Sequence, residues 1–226
     1  DELKKQEHSF FDFRFRERFS EEQKKKRFDI ARYKEMMRKA DMAIAREQWG
    51  AANGFLIQAL SLTKDELPAS LKLASVYLQS GDLRRAENLY QKLQEDAPDH
   101  PFIYTSLAYI YKKKKRYKEA IFNYVRAVEL NQQDDESLLQ LGKLYQLLMR
   151  HSLAAECFRR VAELRPRDVN CLFWLAEACQ GDEDFDNALF TYEKILTLEP
   201  YNEKAQGQAQ DVRLKMKETE VVIKKI

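Results

Sequence analysis

The chain is expected to fold as an all-α solenoid of stacked antiparallel helix pairs, and three observations carry that expectation. Ala52, Ala86, Ala120, Ala154 and Ala188 stand 34 residues apart without a slip, the mark of a repeat protein. A second register of the same period, Ala40, Ala74, Ala108, Gly142 and Ala176, runs twelve residues upstream, so each period holds two small residues at one internal spacing. Apolar residues such as Leu83, Ala86, Leu89, Tyr90 and Leu93 recur at helical spacing, giving an amphipathic stripe. Two helices of about a dozen residues then fill each period.

Taken in order, the elements begin with an aromatic arm. Phe11, Phe15 and Phe19 share a helical face, whereas Phe11, Phe13 and Phe15 alternate as in a strand, and periodicity does not decide between them. Ser20 and Gln23 fit a capping box, which places a new helix start at Ser20 running through Phe28 and Tyr33. Residues 1 to 19 are thus expected to be a separate piece, docking through Phe11, Phe13, Phe15 and Phe19 on the solenoid or a partner, or less favourably at a membrane surface. In the repeats, small residues mark the close helix crossings and large neighbours fill the flanking grooves. Leu56, Tyr90, Tyr124, Phe158 and Tyr192 fall four residues after the second small residue, and Tyr77, Tyr111 and Tyr145 three after the first. Ala205, Ala209, Val212 and Met216 form a last apolar stripe, suited to a terminal capping helix.

These features make the chain resemble the tetratricopeptide repeat family, whose unit is a helix-turn-helix with small residues at its eighth and twentieth positions and a closing proline. In that register the units are 33–66, 67–100, 101–134, 135–168 and 169–202, preceded by an arm and leading helix at 1–32 and followed by a capping helix and tail at 203–226. Pro98, Pro166 and Pro200 close three units where the second helix must stop; Lys64 and Gln132 depart from the pattern. Unit two has the family's turn at Gly81-Asp82-Leu83, where unit four has Met149-Arg150-His151. The resemblance implies a right-handed superhelix.

Composition fits an ordinary globular chain, with 34 % charged residues, 6 Gly and 5 Pro. No apolar run of roughly 18 residues is present to span a bilayer, and the first twenty residues lack a secretory pattern. The start at Asp1 and the end at Val221-Val222-Ile223-Lys224-Lys225-Ile226 suggest a piece of a longer protein. Cys157, Cys171 and Cys179 do not make an even disulfide framework. Cys171 and Cys179 lie eight residues apart on one helix, ~12 Å along its axis and beyond bridging distance, while a Cys157 to Cys171 bridge between adjacent helices stays open. Three buried thiols in a reducing compartment is the preferred reading, hence a cytoplasmic location, with a bacterial periplasm as the alternative.

Catalysis needs converging groups, and a solenoid brings together only residues of neighbouring repeats. No such set, phosphate loop or zinc-ligand spacing occurs, so the chain is expected to be no enzyme and to carry no cofactor and no metal. His8, His100 and His151 read as surface residues. Asp182, Asp184, Asp186 and Glu193 resemble a calcium loop, but Asn187 stands where glycine is needed, and acids at a helix start give the simpler account.

What the resemblance implies is partner binding. The family's groove positions fall, in units one and two, on Lys34, Met37, Asp41, Ile44, Ala45, Pro68, Leu71, Ser75, Leu78 and Gln79. In the later units they fall on Phe102, Thr105, Tyr109, Lys112, Lys113, Glu136, Leu139, Lys143, Gln146, Leu147, Asn170, Phe173, Glu177, Gln180 and Gly181. The lysine and asparagine set with which family members clamp a chaperone carboxylate terminus is absent. The expected site is therefore an apolar or aromatic anchor near Leu71, Leu78, Phe102, Tyr109 and Phe173, flanked by Lys112, Lys113 and Lys143. Unit three has seven basic residues against three acidic, net +4, and unit five one against seven, net −6, within a chain of net +2. The run Lys112 to Arg116 can steer an acidic partner, opposite ends of opposite sign favour head-to-tail self-association, and the acidic end argues against nucleic acid. The function expected is a protein-binding scaffold or adaptor in a multiprotein assembly; the alternatives are the substrate-recruiting domain of a larger enzyme and, disfavoured by the missing clamp, a cochaperone.

Overall fold

The computed structural model describes residues 2–63 and 65–223, with side chains for 21–63 and 65–219. The described residues form eleven helices and no strand: α1 (Glu2–Ala45), α2 (Trp49–Leu60), α3 (Leu67–Gln79), α4 (Leu83–Asp96), α5 (Pro101–Lys113), α6 (Tyr117–Leu130), α7 (Asp135–Leu147), α8 (His151–Leu164), α9 (Val169–Gly181), α10 (Phe185–Leu198) and α11 (Glu203–Ile223). They divide into two compact units, residues 1–98 and 99–226, and within each unit successive helices pack against one another.

Small residues let the helices cross and large ones fill the space beside them. Ala40, Ala52, Ala74, Ala86, Ala108, Ala120, Ala154, Ala176 and Ala188 are fully buried, as are Leu56, Tyr90, Tyr124, Phe158 and Tyr192. Each of those large side chains contributes about 1.5–3 kcal/mol by leaving water, repeated at every hairpin. Gly142 shows how tight the crossing is, because a Cβ there would lie 2.6 Å from Phe158 Cε1. In the second unit one core runs from Val128 and Leu138 through Phe158 and Tyr192 to Ala205, Ala209 and Val212 of α11, so the last helix closes the apolar face that α9 and α10 leave open.

Every hairpin turns in the same way. Gln48, Asp82, Arg116, Arg150 and Asp184 each donate the backbone N–H to a carbonyl five residues back, at 2.8–2.9 Å, the closing bond of a Schellman motif. The residue before each has positive φ: Glu47, Gly81, Lys115, Met149 and Glu183, at 56° to 84°. Only unit two places there the glycine that this conformation favours; the others hold an L side chain in the left-handed region. Asp82 and Asp184 cap the helices that follow, accepting from the N–H of Arg85 and Asn187.

The start of the chain departs from expectation. No break occurs at Ser20: α1 runs unbroken from Glu2 to Ala45, and Ser20 and Gln23 lie inside it. The stretch has neither Gly nor Pro and is rich in Lys, Arg, Glu and Gln, all good helix formers. Pairs such as Glu21 with Lys24 at 2.8 Å and Glu35 with Lys39 at 2.7 Å brace it. A capping-box pattern ends nothing when the residues before it propagate helix. The backbone at Phe11, Phe13 and Phe15 is helical, not extended; the docking role given to those side chains and Phe19 lies outside the described side chains.

Candidate partner-binding face

Within each compact unit the first helices of consecutive hairpins touch through side chains about 30 residues apart. In the first compact unit Lys72 of α3 pairs with Asp41 of α1, and Leu71 and Leu78 of the same α3 are half-buried. In the second unit, Thr105 of α5 lies 3.0 Å from Ser137 of α7, and Lys112 of α5 donates to Gln140 of α7 at 2.5 Å. Lys143 of α7 stands 3.9 Å above the ring of Trp174 of α9. Thus α5, α7 and α9 present a continuous face.

That face is basic and aromatic. Tyr109, 39 % exposed, carries the Lys113 ammonium 5.3 Å from its ring, and Phe102, 47 % exposed, stands at the start of the same helix. Among the described residues no carboxylate lies within ion-pair distance of Lys112, Lys113 or Lys143. Burial, and then the charges of Lys143 and Lys113, push the Lys112 ammonium below its ordinary value, as expected where like charges converge on a partly dry surface. Glu136 accepts from Gln140 at 2.6 Å and marks the acidic margin.

The candidate residues separate here. Phe102, Tyr109, Lys112, Lys113 and Lys143 share the second unit's face, and Leu71 and Leu78 belong to the first unit. Phe173 is 9 % exposed: its ring meets Tyr192 edge-on at 6.1 Å and is covered by Lys204 of α11 at 4.5 Å. It is core rather than open groove, because the capping helix occupies the place a further repeat would take. Its neighbour Trp174 is half-buried, packed against Phe158 and the core and topped by Lys143, and a reading confined to the family's fifth position passed over it. Also unanticipated are Phe122 and Phe190, equivalent positions on α6 and α10 that are each 67 % exposed.

The chemistry expected at other positions resolves into structure. Cys157, Cys171 and Cys179 are free and buried, and burial pushes their thiols up, Cys171 to about 12 with the Asp168 carboxylate adding to it. Among the described residues no group of His, Cys, Asp and Glu is gathered as metal ligands; Asp184 of the calcium-like run is the cap of α10.

Comparison with known proteins agrees with this architecture. Models described as Tetratricopeptide repeat match residues 43–108 and 169–202, and one described as Anaphase-promoting complex, cyclosome, subunit 3 matches residues 113–182. The chain belongs to the tetratricopeptide repeat family. Among curated proteins it is similar to a Protein CTR9 homolog of Arabidopsis thaliana, 29 % identical over 109 residues, covering 46 % of this chain and 10 % of that protein. It is also similar to Anaphase-promoting complex subunit 3 of Schizosaccharomyces pombe, 25 % identical over 133 residues, covering 59 % of this chain and 20 % of that protein. The alignments thus span a tenth and a fifth of these relatives. Solved structures share the fold: MamA, with a TM-score of 0.65, 20 % identity and coverage of 76 % of this chain and 94 % of that one, and YrrB, with 0.62, 20 %, 77 % and 90 %.

Proposed function

We propose that this chain is a non-enzymatic scaffold that holds a segment of a partner protein on the face formed by α5, α7 and α9, within a multiprotein assembly. The observation that carries the proposal is the convergence of Tyr109, Lys112, Lys113, Lys143 and Trp174: among the described residues none of the three cations has a carboxylate within ion-pair distance, and they stand beside one exposed and one half-buried ring. Such a surface takes a segment with an apolar or aromatic anchor and acidic neighbours: the ring contacts supply buried area, and the lysines steer and orient the anionic groups. The solved relative YrrB is described as having an unusual peptide-binding site, and Anaphase-promoting complex subunit 3 is by name a subunit of an assembly; both support the reading. The three free, buried thiols support a reducing, cytoplasmic setting.

The test is affinity capture from the native source with the wild-type chain and with Lys112→Glu/Lys143→Glu. Both side chains are part-exposed, so the variant should keep its helical circular dichroism. Loss of a defined set of partners from the variant is the expected result. Recovery of the same partners by both proteins would overturn the assignment of this face.

A further inference from the structure

The edge of the second compact unit where the hairpins turn has a property distinct from the α5–α7–α9 face. Short turns make each helix pair antiparallel, so the turns after α5, α7 and α9 emerge on one edge. The contact of the His151 ring with the backbone at Gly181, where a Cβ would lie 2.5 Å from Nδ1, fixes the last two side by side. Along that edge the exposed chemistry changes in three steps. The turn after α5 is basic, with Lys113, Lys114, Lys115 and Arg116 all exposed. The turn after α7 is largely apolar, with Leu147 60 %, Met149 73 % and, in the first turn of α8, Leu153 45 % exposed, beside one exposed cation, Arg150. The turn after α9 is acidic, with Asp182, Glu183 and Asp186 exposed.

A strip ordered basic, apolar, acidic is complementary to itself when rotated by half a turn. We infer that this edge is an isologous docking surface for a second copy of the chain, with Met149 and Leu147 of both copies at a two-fold axis and each Lys113–Arg116 turn against the other copy's Asp182–Asp186 turn. In such an interface one patch serves both subunits and the assembly closes at two. Adjacent hairpins lie about 10 Å apart, so the strip is about 20 Å long. That places it at the small end of specific interfaces, with weak, salt-dependent association. Charge complementarity together with the exposed apolar centre selects this occupant. A partner with a uniformly charged segment would match one end and be repelled at the other. The arrangement differs from head-to-tail stacking of solenoid ends, which does not close.

The test is sedimentation of the full chain at about 200 μM in low and high salt, a concentration at which weak encounters of this size are populated. The wild type should show a dimer that dissociates in 1 M salt, about a Debye length of 3 Å. Lys114→Glu/Lys115→Glu/Lys118→Glu, all at exposed positions, leaves both outer turns acidic, and Asp182→Lys/Glu183→Lys/Asp186→Lys leaves both basic. Each variant alone should be monomeric, whereas an equimolar mixture of the two should form a dimer, and the chain with all six changes should dimerise by itself. Met149→Lys should be monomeric with unchanged circular dichroism. A monomeric wild type, unaltered association in the single-end variants, no dimer in the mixture, or species larger than a dimer would each overturn the proposal. None of these substitutions removes Tyr109, Lys112, Lys113, Lys143 or Trp174, so partner capture and self-association fail or succeed separately.

Discussion

Gly142 offers the sharpest test of the packing at the helix crossings. Replacement by Ala would set a Cβ 2.6 Å from Phe158 Cε1, 2.9 Å from Cδ1 and 3.0 Å from Cζ, about an ångström inside the usual carbon separation of roughly 3.5–4.0 Å. The Phe158 ring is fully buried and sits 6.1 Å from Trp174, centroid to centroid, so it has little room to retreat. Overpacking of this kind costs about 1–3 kcal/mol, against which Ala in place of Gly within a helix regains about 1 kcal/mol. Gly207 and Gly54 are helical too, and a Cβ at either meets nothing within 4 Å, so their replacement should yield only the gain. Gly207→Ala is thus expected to raise Tm by about 2–4 °C for a chain of this size, while Gly142→Ala leaves it unchanged or lowers it by a few degrees. Thermal unfolding followed by circular dichroism reads both. In a Phe158→Leu background the penalty at Gly142 should shrink, giving a coupling of about 0.5 kcal/mol or more. Equal stabilisation by Gly142→Ala and Gly207→Ala would refute the packing argument.

Other consequences follow from the same repeat geometry. Lys115→Gly, Met149→Gly and Glu183→Gly each relieve a left-handed turn and should raise the unfolding free energy read from urea titration by up to about 1 kcal/mol apiece, whereas Gly81→Ala should lower it by a similar amount; the opposite signs would mean that the turns are not strained. Ala120→Leu and Ala154→Leu should each cost about 1–3 kcal/mol by overpacking a crossing, and an unchanged melting temperature would show that these alanines do not mark the crossings. Burial pushes Cys157 and Cys179 up to about 11 and Cys171 to about 12, while an unfolded thiol ionises near ~8.5. The folded chain therefore binds these protons more tightly, and the stability this contributes is whole below about pH 8.5 and is lost as pH rises through 11–12. Unfolding at pH 9 to 10.5 should show a decline that is shallower in Cys157→Ala/Cys171→Ala/Cys179→Ala; an identical slope in both chains would count against it.

The helix pairs were legible because each crossing tolerates only small residues and repeats every 34 positions, so Ala52 through Ala188 expose the periodicity directly. Large fillers such as Tyr124 and Phe158 were legible for the same reason, since they sit one helical turn from those crossings. The face was harder to read. Adjacent helix positions differ by about 100° in direction, so the step from Phe173 to Trp174 moves the ring from the core to its half-buried margin, and α11 supplies the Lys204 that covers Phe173. The stacking of Lys143 on Trp174 joins two repeats, which no spacing within a single unit reveals. At the start, Ser20 bore a cap signal that residues on both sides override by favouring helix. The left-handed conformations at Lys115, Met149 and Glu183 went unread because those residue types do not advertise it, although Gly81 marks the equivalent position.

The central claim, that a partner segment lies on the face formed by α5, α7 and α9, is tested most directly by hydrogen exchange on the captured complex against the free chain. Added protection is expected in those three first helices, centred on Tyr109, Lys112, Lys143 and Trp174, with α6, α8 and α10 unchanged. Protection confined to the second helices, around Phe122 and Phe190, would contradict it.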